Sequence, residues 1–244
     1  MIQAAAILLA GAATLGPLAG RTVMLDPGHG GKDGGTRANG IVEKDLNLTF
    51  ALELESVLRE RGARVILTRR GDHDLVGDGP THGNRQRENL RRRVALARQL
   101  MPDVYLSLHG NFYGTPQAHG AQVFVDRDAT GPSVALGQCL MDALRRASPT
   151  PRRLNRGIAH YLLRNLPVPT ATVEIGFLSN PREARALSDP GYRRVLAGAV
   201  ADGLACYFRA CPSARGRAGG SPSASAGGPG PWGCPAGPPP PRPG

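Results

Sequence analysis

Lysine is almost absent from this chain of 244 residues: Lys32 and Lys44 are the only two among 30 basic residues, and the rest are arginine. The formal charge of +11 therefore arrives together with an abundance of Arg, Ala, Gly and Pro, as a compositional bias would produce. No RNA- or DNA-binding signature accompanies it, which argues against nucleic acid as a partner, although such a charge steers anionic polymers toward the surface. Nucleotide loops are missing too. The glycines between Gly28 and Gly35 follow neither G-x-G-x-x-G at a helix start nor G-x-x-x-x-G-K-[ST]. The four cysteines, Cys139, Cys206, Cys211 and Cys234, show no C-x-x-C spacing, which removes zinc-knuckle and dithiol redox readings. Cys206 and Cys211 are close enough to pair if a helix ends between them, but free buried thiols are the expectation.

The two ends set the domain limits. Residues 1–20 are small and apolar without the basic start of a secretory signal, yet Leu18-Ala19-Gly20 offers cleavable residues. They read as a signal or a membrane anchor, with a buried first segment as the alternative, and their length is at the lower edge for a span. Residues 211–244 are mostly Pro, Gly, Ser and Ala, which cannot bury enough surface to offset ordering entropy and predict a disordered tail. Residues 21–210 remain as one α/β domain with ample length for a core.

Within that domain apolar runs alternate with helical patterns, the signature of a mainly parallel twisted sheet flanked by helices on both faces. Strands are expected at 22–25, 64–67, 104–108, 121–125 and 171–175. Leu46, Phe50, Leu54 and Leu58 draw one helical stripe that Gly62 stops; Leu90, Val94, Ala97 and Met101 draw a second. A third helix should run over 133–146, and a fourth over 192–208 with Val195, Leu196, Ala199, Leu204 and Tyr207 inward. Residues 71–83 read as a polar loop flanking a groove.

The chemistry concentrates in four places. Val23-Met24-Leu25 ends in Asp26-Pro27-Gly28-His29-Gly30-Gly31, a turn whose glycines clear space around one imidazole. Glu43 opens the first helix, where a carboxylate is ordinarily just favoured by the helix dipole. His109 closes a second apolar run, followed by Gly110 and Asn111. Glu174 interrupts a third run between Val173 and Ile175, a costly position for a carboxylate without a partner or a task. Two His and one Glu make a three-ligand zinc set with an open position, and a second Glu can act as base. Ligands gather at the carboxyl ends of parallel strands, so these residues converge if the strands are parallel. His73, His82, His119 and His160 lack such settings, and Asp72-His73-Asp74 reads as a polar loop rather than a loose metal site.

In combination, LDPGHGGKDGG, EKDLNL, LTR at Leu67–Arg69, SLHGN and VEIGFLSNPREA resemble the zinc-dependent N-acetylmuramoyl-L-alanine amidases of bacterial cell-wall turnover, from about Arg21 to Phe208. The resemblance implies Zn2+ held by His29, Glu43 and His109. Glu174 is then the catalytic carboxylate, first base and then acid. It lifts Glu43 from a helix-start carboxylate to a ligand. Arg69 and Arg93 fall at family positions near the sheet edge, where substrate contact and structural ion pairing explain them equally. Asn111 would orient a ligand or substrate, or cap. Gly110 departs from the family's more usual Ala. The implied substrate is peptidoglycan, cut between the lactyl group and L-alanine outside the cytoplasm, with any activating protein unspecified. Rival readings are a peptidoglycan-binding module with a degenerate site and a zinc peptidase acting within the stem peptide. Some cell-division members carry an inserted helix that blocks the zinc; here the connection from Asp126 to about Pro132 is too short, so an open groove is expected. The stretch from Arg152 to Leu163, without insertion or wall-binding repeats, resembles the small germination-type amidases of spore formers.

Overall fold

The structure is a computed structural model and describes residues 16–78, 84–148, 150–158 and 160–212. Most of the expected N-terminal segment, His82, Cys234 and the tail beyond Pro212 lie outside the described residues. No described helix is long and apolar enough to cross a membrane.

In chain order the elements are β1 (Thr22–Pro27), β2 (Arg37–Ala38), β3 (Ile41–Val42), α1 (Glu43–Glu60), β4 (Arg64–Leu67), α2 (Arg85–Leu100) and β5 (Val104–Asn111). They continue with β6 (Gln122–Asp126), α3 (Gly131–Ala147), β7 (Asn155–Ile158), α4 (Tyr161–Asn165), β8 (Thr170–Phe177), α5 (Pro181–Ser188) and α6 (Pro190–Ala210). Six strands form one sheet in the order β4-β1-β5-β8-β6-β7, and β2 pairs with β3 in a separate hairpin. Strands β4, β1, β5 and β8 run parallel, while β6 is antiparallel to β8 and takes β7 with it. The fold is the expected α/β domain with a mainly parallel sheet.

Both faces are covered. Leu46, Phe50, Leu54 and Leu58 of α1 are all buried in the main core with Leu140 of α3 and Leu204 of α6. Gly62 follows α1 with φ +91°, a conformation few other residues tolerate. On the opposite face Met24, Tyr105 and Ala97 of α2 pack as a smaller cluster. Two expected inward residues point out instead. Met101 sits past the end of α2 as its left-handed cap, and Val195 is half exposed on α6. Helix α6 also starts earlier than expected because the Asp189 side chain accepts from the Gly191 and Tyr192 N–H groups. Helix α5 arises the same way: Asn180 accepts from the Arg182 and Glu183 N–H groups, and Pro181 fits the first turn. The connection between β6 and α3 is a tight turn in which Ala129 donates to the Asp126 carbonyl, leaving no room for an inserted helix.

The cysteines correct the expectation of free thiols. Packing of α3 against α6 brings Cys139 and Cys206 to a Cα–Cα distance of 5.8 Å in a disulfide across 67 residues of sequence. Cys211 is also disulfide-bonded, so no described cysteine is free. Replacing Cys139 and Cys206 together by Ala is expected to lower unfolding stability by about 2–4 kcal/mol, read by urea denaturation. Wild-type protein under reductant should fall at least as far as the double variant. Equal stability of all three would remove the cross-link from the account.

Candidate active site

Strand alternation decides which side chains meet at the carboxyl edge. Val23 and Leu25, Leu106 and Leu108, and Val173 and Ile175 all enter the main core, so their neighbours Asp26, Ser107, His109 and Glu174 face the α2 side. The register sets Asp26 beside Ser107 and His109 beside Glu174. Strand β5 runs on past His109 to Asn111 with an irregularity between them, and Glu174 lies within β8 rather than at its end.

The turn after β1 brings in His29. Its backbone takes a left-handed conformation (φ 63°), uncommon outside glycine but tolerated by histidine. A Cβ on Gly28 would come within 2.2 Å of His109 Cε1, and one on Gly35 within 2.7 Å of both Glu43 Oε2 and His29 Cδ2. These two glycines therefore make room for the imidazoles and the carboxylate. Helix α1 delivers Glu43 at its first position.

His29 Nε2 lies 3.0 Å and His109 Nδ1 2.9 Å from Glu43 Oε1. The imidazoles meet edge-on at 5.0 Å between centroids, and one ligand atom from each of the three residues falls within 4.8 Å of the others. Outer groups hold them. Thr36 N–H donates to Glu43 Oε2 at 2.9 Å, Asn47 Nδ2 donates to the Gly28 carbonyl at 3.3 Å, and Asp33 Oδ2 approaches His29 Nδ1 to 3.0 Å without hydrogen-bond alignment. Burial opposes charge on Glu43, but hydrogen bonds from both histidines outweigh it and hold its carboxyl well below the usual range. Burial likewise opposes charge on His29, and Glu43 with Asp33 overcomes it, pushing the imidazole up to about 9.

Glu174 differs. Its Oε2 is buried without a hydrogen-bond partner among the described residues, and burial pushes its carboxyl up to about 7, with the charge of His109 opposing. A cavity of about 430 Å3 opens there, walled by His29, His109 and Glu174, by Asn89 and Arg93 of α2, and by His160 at the start of α4.

Arg69 and Arg93 lie at this edge, but their guanidinium groups are occupied. Arg69 donates to the carbonyls of Pro27, Gly28, Lys44 and Gly71. Arg93 pairs with Asp26 and donates to the carbonyls of Pro27 (3.1 Å) and His29 (2.6 Å). Both hold the backbone that carries the imidazole. Asn111 is half-buried, and its side chain makes no hydrogen bond among the described residues. Asp72 binds Lys44 and the Gly31 N–H, while Asp74 binds Arg85, so that triplet staples loops. His160 joins the site without any signal in the sequence. A lone histidine before a five-residue helix stands out by nothing, and only the fold of β7 and α4 returns it to the cavity.

An open α/β sheet with two imidazoles, one carboxylate and an unpartnered second carboxylate at its carboxyl edge defines a hydrolase built around a candidate metal centre. Residues 23–206 match the family described as N-acetylmuramoyl-L-alanine amidase, and the chain belongs to that family of peptidoglycan amidases. It is 39% identical over 195 residues to the germination-specific N-acetylmuramoyl-L-alanine amidase of Bacillus subtilis, covering 79% of this chain and 81% of that one. Its fold is similar to the CwlD amidase of Clostridioides difficile, solved in complex with the GerS lipoprotein, at TM-score 0.73 and 32% identity, covering 78% of this chain and 98% of that one. It is also similar to the catalytic domain of CwlV from Bacillus (Paenibacillus) polymyxa, at TM-score 0.65 and 29% identity, with 78% and 98% covered.

Proposed function

We propose that the chain hydrolyses the amide between the lactyl group of N-acetylmuramic acid and L-alanine in a zinc-dependent reaction, with His29, Glu43 and His109 as ligands and Glu174 as the catalytic carboxylate. The observation that carries this reading is the cluster of three ligand atoms within 4.8 Å beside a buried, unpartnered carboxylate oxygen. Nitrogen and oxygen donors in a set of three suit zinc, and the contacts from Asp33, Thr36 and Asn47 behind them are of the kind that orient ligands. Zinc in such a site acidifies water and polarises a carbonyl when bound. Glu174 Oε2, which has no donor among the described residues, takes one proton from the attacking water as the water oxygen bonds to the lactyl carbon. The same carboxyl then delivers that proton to the alanine nitrogen as the C–N bond breaks. The products are the lactyl carboxylic acid, which releases the water's second proton to solvent, and a peptide with a new N-terminal alanine.

In this reading residues 21–210 form the catalytic domain, preceded by an export or anchoring segment and followed by a Pro/Gly-rich tail. Action outside the cytoplasm is supported by the Cys139–Cys206 disulfide, since such bonds persist in oxidising compartments. A role in the spore cortex is supported by the germination-specific relative, and an accessory protein by the CwlD–GerS complex.

Mass spectrometry of muropeptides after digestion, with and without chelator, tests the reaction. N-terminal alanine beside unmodified muramic acid, lost on chelation, is expected; cuts within the stem peptide would make the chain a peptidase instead. One zinc per chain is expected, and His29→Ala or His109→Ala should lose most of it together with activity. Full occupancy in His29→Ala would overturn the ligand set. For the niche, deletion of the gene should deplete muramic δ-lactam from spore cortex; unchanged content, or a source that forms no spores, would leave a general autolysin.

A further inference from the structure

His160 lines the catalytic cavity, yet neither the ligand set nor the proton transfer gives it a task, and its side chain pairs with nothing among the described residues. Asp26 and Arg93 neutralise each other, and Asp33 approaches His29. The His160 side chain by contrast makes no hydrogen bond among the described residues. Its place in the fold does not demand an imidazole. It occupies the N-cap position of α4 with extended backbone (φ −88°, ψ 133°), yet its side chain caps nothing. Helix α4 is held by Leu162 and Leu163, which are buried, and by Asn165 Nδ2 donating to the Tyr161 carbonyl at 2.8 Å. A side chain with no structural bond, lining the cavity with His109 and Glu174 where solvent still reaches it, is available to a substrate.

The location also says which part of the substrate. Glu174 lies on β8, and His160 stands at the start of α4, which packs against β6, β8 and α2, so both line one cavity. A substrate whose scissile amide meets the attacking water beside Glu174 lies in a cavity that His160 also lines. An imidazole carries at least one N–H in either protonation state, so it can always donate. The group that gains hydrogen-bonding power during reaction is the lactyl carbonyl oxygen, which becomes negative as the carbon turns tetrahedral. We propose that His160 is a further catalytic residue: it donates a hydrogen bond to that oxygen, and the bond strengthens in the transition state. This rests on the amidase reading above.

The test compares His160→Ala and His160→Gln with wild type on soluble muropeptides, with kcat and KM measured separately and zinc content and melting temperature recorded alongside. Wild type must first release peptides with N-terminal alanine; if it does not, the amidase reading itself fails. Given that release, His160→Ala is expected to lose about 10²- to 10³-fold in kcat, as deletion of an oxyanion donor does elsewhere. KM should stay within about threefold, with zinc and melting temperature unchanged. His160→Gln, which restores an N–H, should recover at least tenfold of that loss. A kcat within threefold of wild type in His160→Ala, a loss confined to KM, a loss of zinc, or a His160→Gln variant no better than Ala would each overturn the proposal.

Discussion

Glu174→Gln is expected to fold, to retain its metal and to lose about 10²-fold or more of its activity. The substitution keeps side-chain volume and removes only the capacity to accept and return a proton. Glu174 faces the cavity rather than the core that Val173 and Ile175 enter, and a smaller residue would enlarge that cavity and confuse substrate binding with chemistry. Its Oε2 has no donor to lose among the described residues, which makes the amide structurally mild. Three measurements on one preparation decide the matter: turnover, zinc per chain and the unfolding midpoint. Lost zinc would recast Glu174 as a ligand, and turnover within threefold of wild type would leave the proton without a carrier.

The legibility of these four residues in the sequence is a matter of local physics. His29 and His109 each end an apolar run at glycines, and a parallel sheet sends both run-ends to one edge. Glu174 stands out because a lone carboxylate in an apolar strand is expensive. Glu43 is different: at a helix start it looks ordinary, and only the family motif singles it out. The long helices are legible from their stripes, as the buried row Leu46, Phe50, Leu54 and Leu58 shows. What stays hidden depends on distant pairing. Strand β7 has no apolar alternation because it lies at the sheet edge, beside β6 alone. Cys139 and Cys206 are strangers in sequence and neighbours only once α3 packs on α6. Arg69 and Arg93 reveal their positions but not their work, since backbone carbonyls as partners leave no pattern in a sequence.

Arg93→Ala is expected to cost about 3–5 kcal/mol of stability at neutral pH, because it strands the Asp26 carboxylate in the core. Asp26 is fully buried on β1, Arg93 is 2% exposed on α2, and the two are joined by an ion pair. Thr68 Oγ1 donates to Asp26 Oδ1 at 2.6 Å and Ser107 Oγ to Oδ2 at 3.3 Å, but neither supplies charge. Burial alone would raise the Asp26 pKa; the charge of Arg93 and the Thr68 hydrogen bond outweigh it and hold the carboxyl below its ordinary 3.8. A carboxyl with a depressed pKa stabilises the fold above the unfolded value and loses that contribution as the pH falls through the folded one. Without Arg93, burial raises the Asp26 pKa instead, so the gap should be largest at high pH, shrink as the pH falls through the variant's raised value and level off below the depressed wild-type one, read by urea denaturation across that range. Asp26→Leu combined with Arg93→Met should recover part of the loss, because an apolar pair leaves no charge behind. Neither variant would restore the bonds from Arg93 to the Pro27 and His29 carbonyls, so weaker zinc retention should persist in the double variant even where stability returns. A gap below 1 kcal/mol, or one independent of pH, would show that the pair does not carry the edge of the sheet on which His29 is mounted.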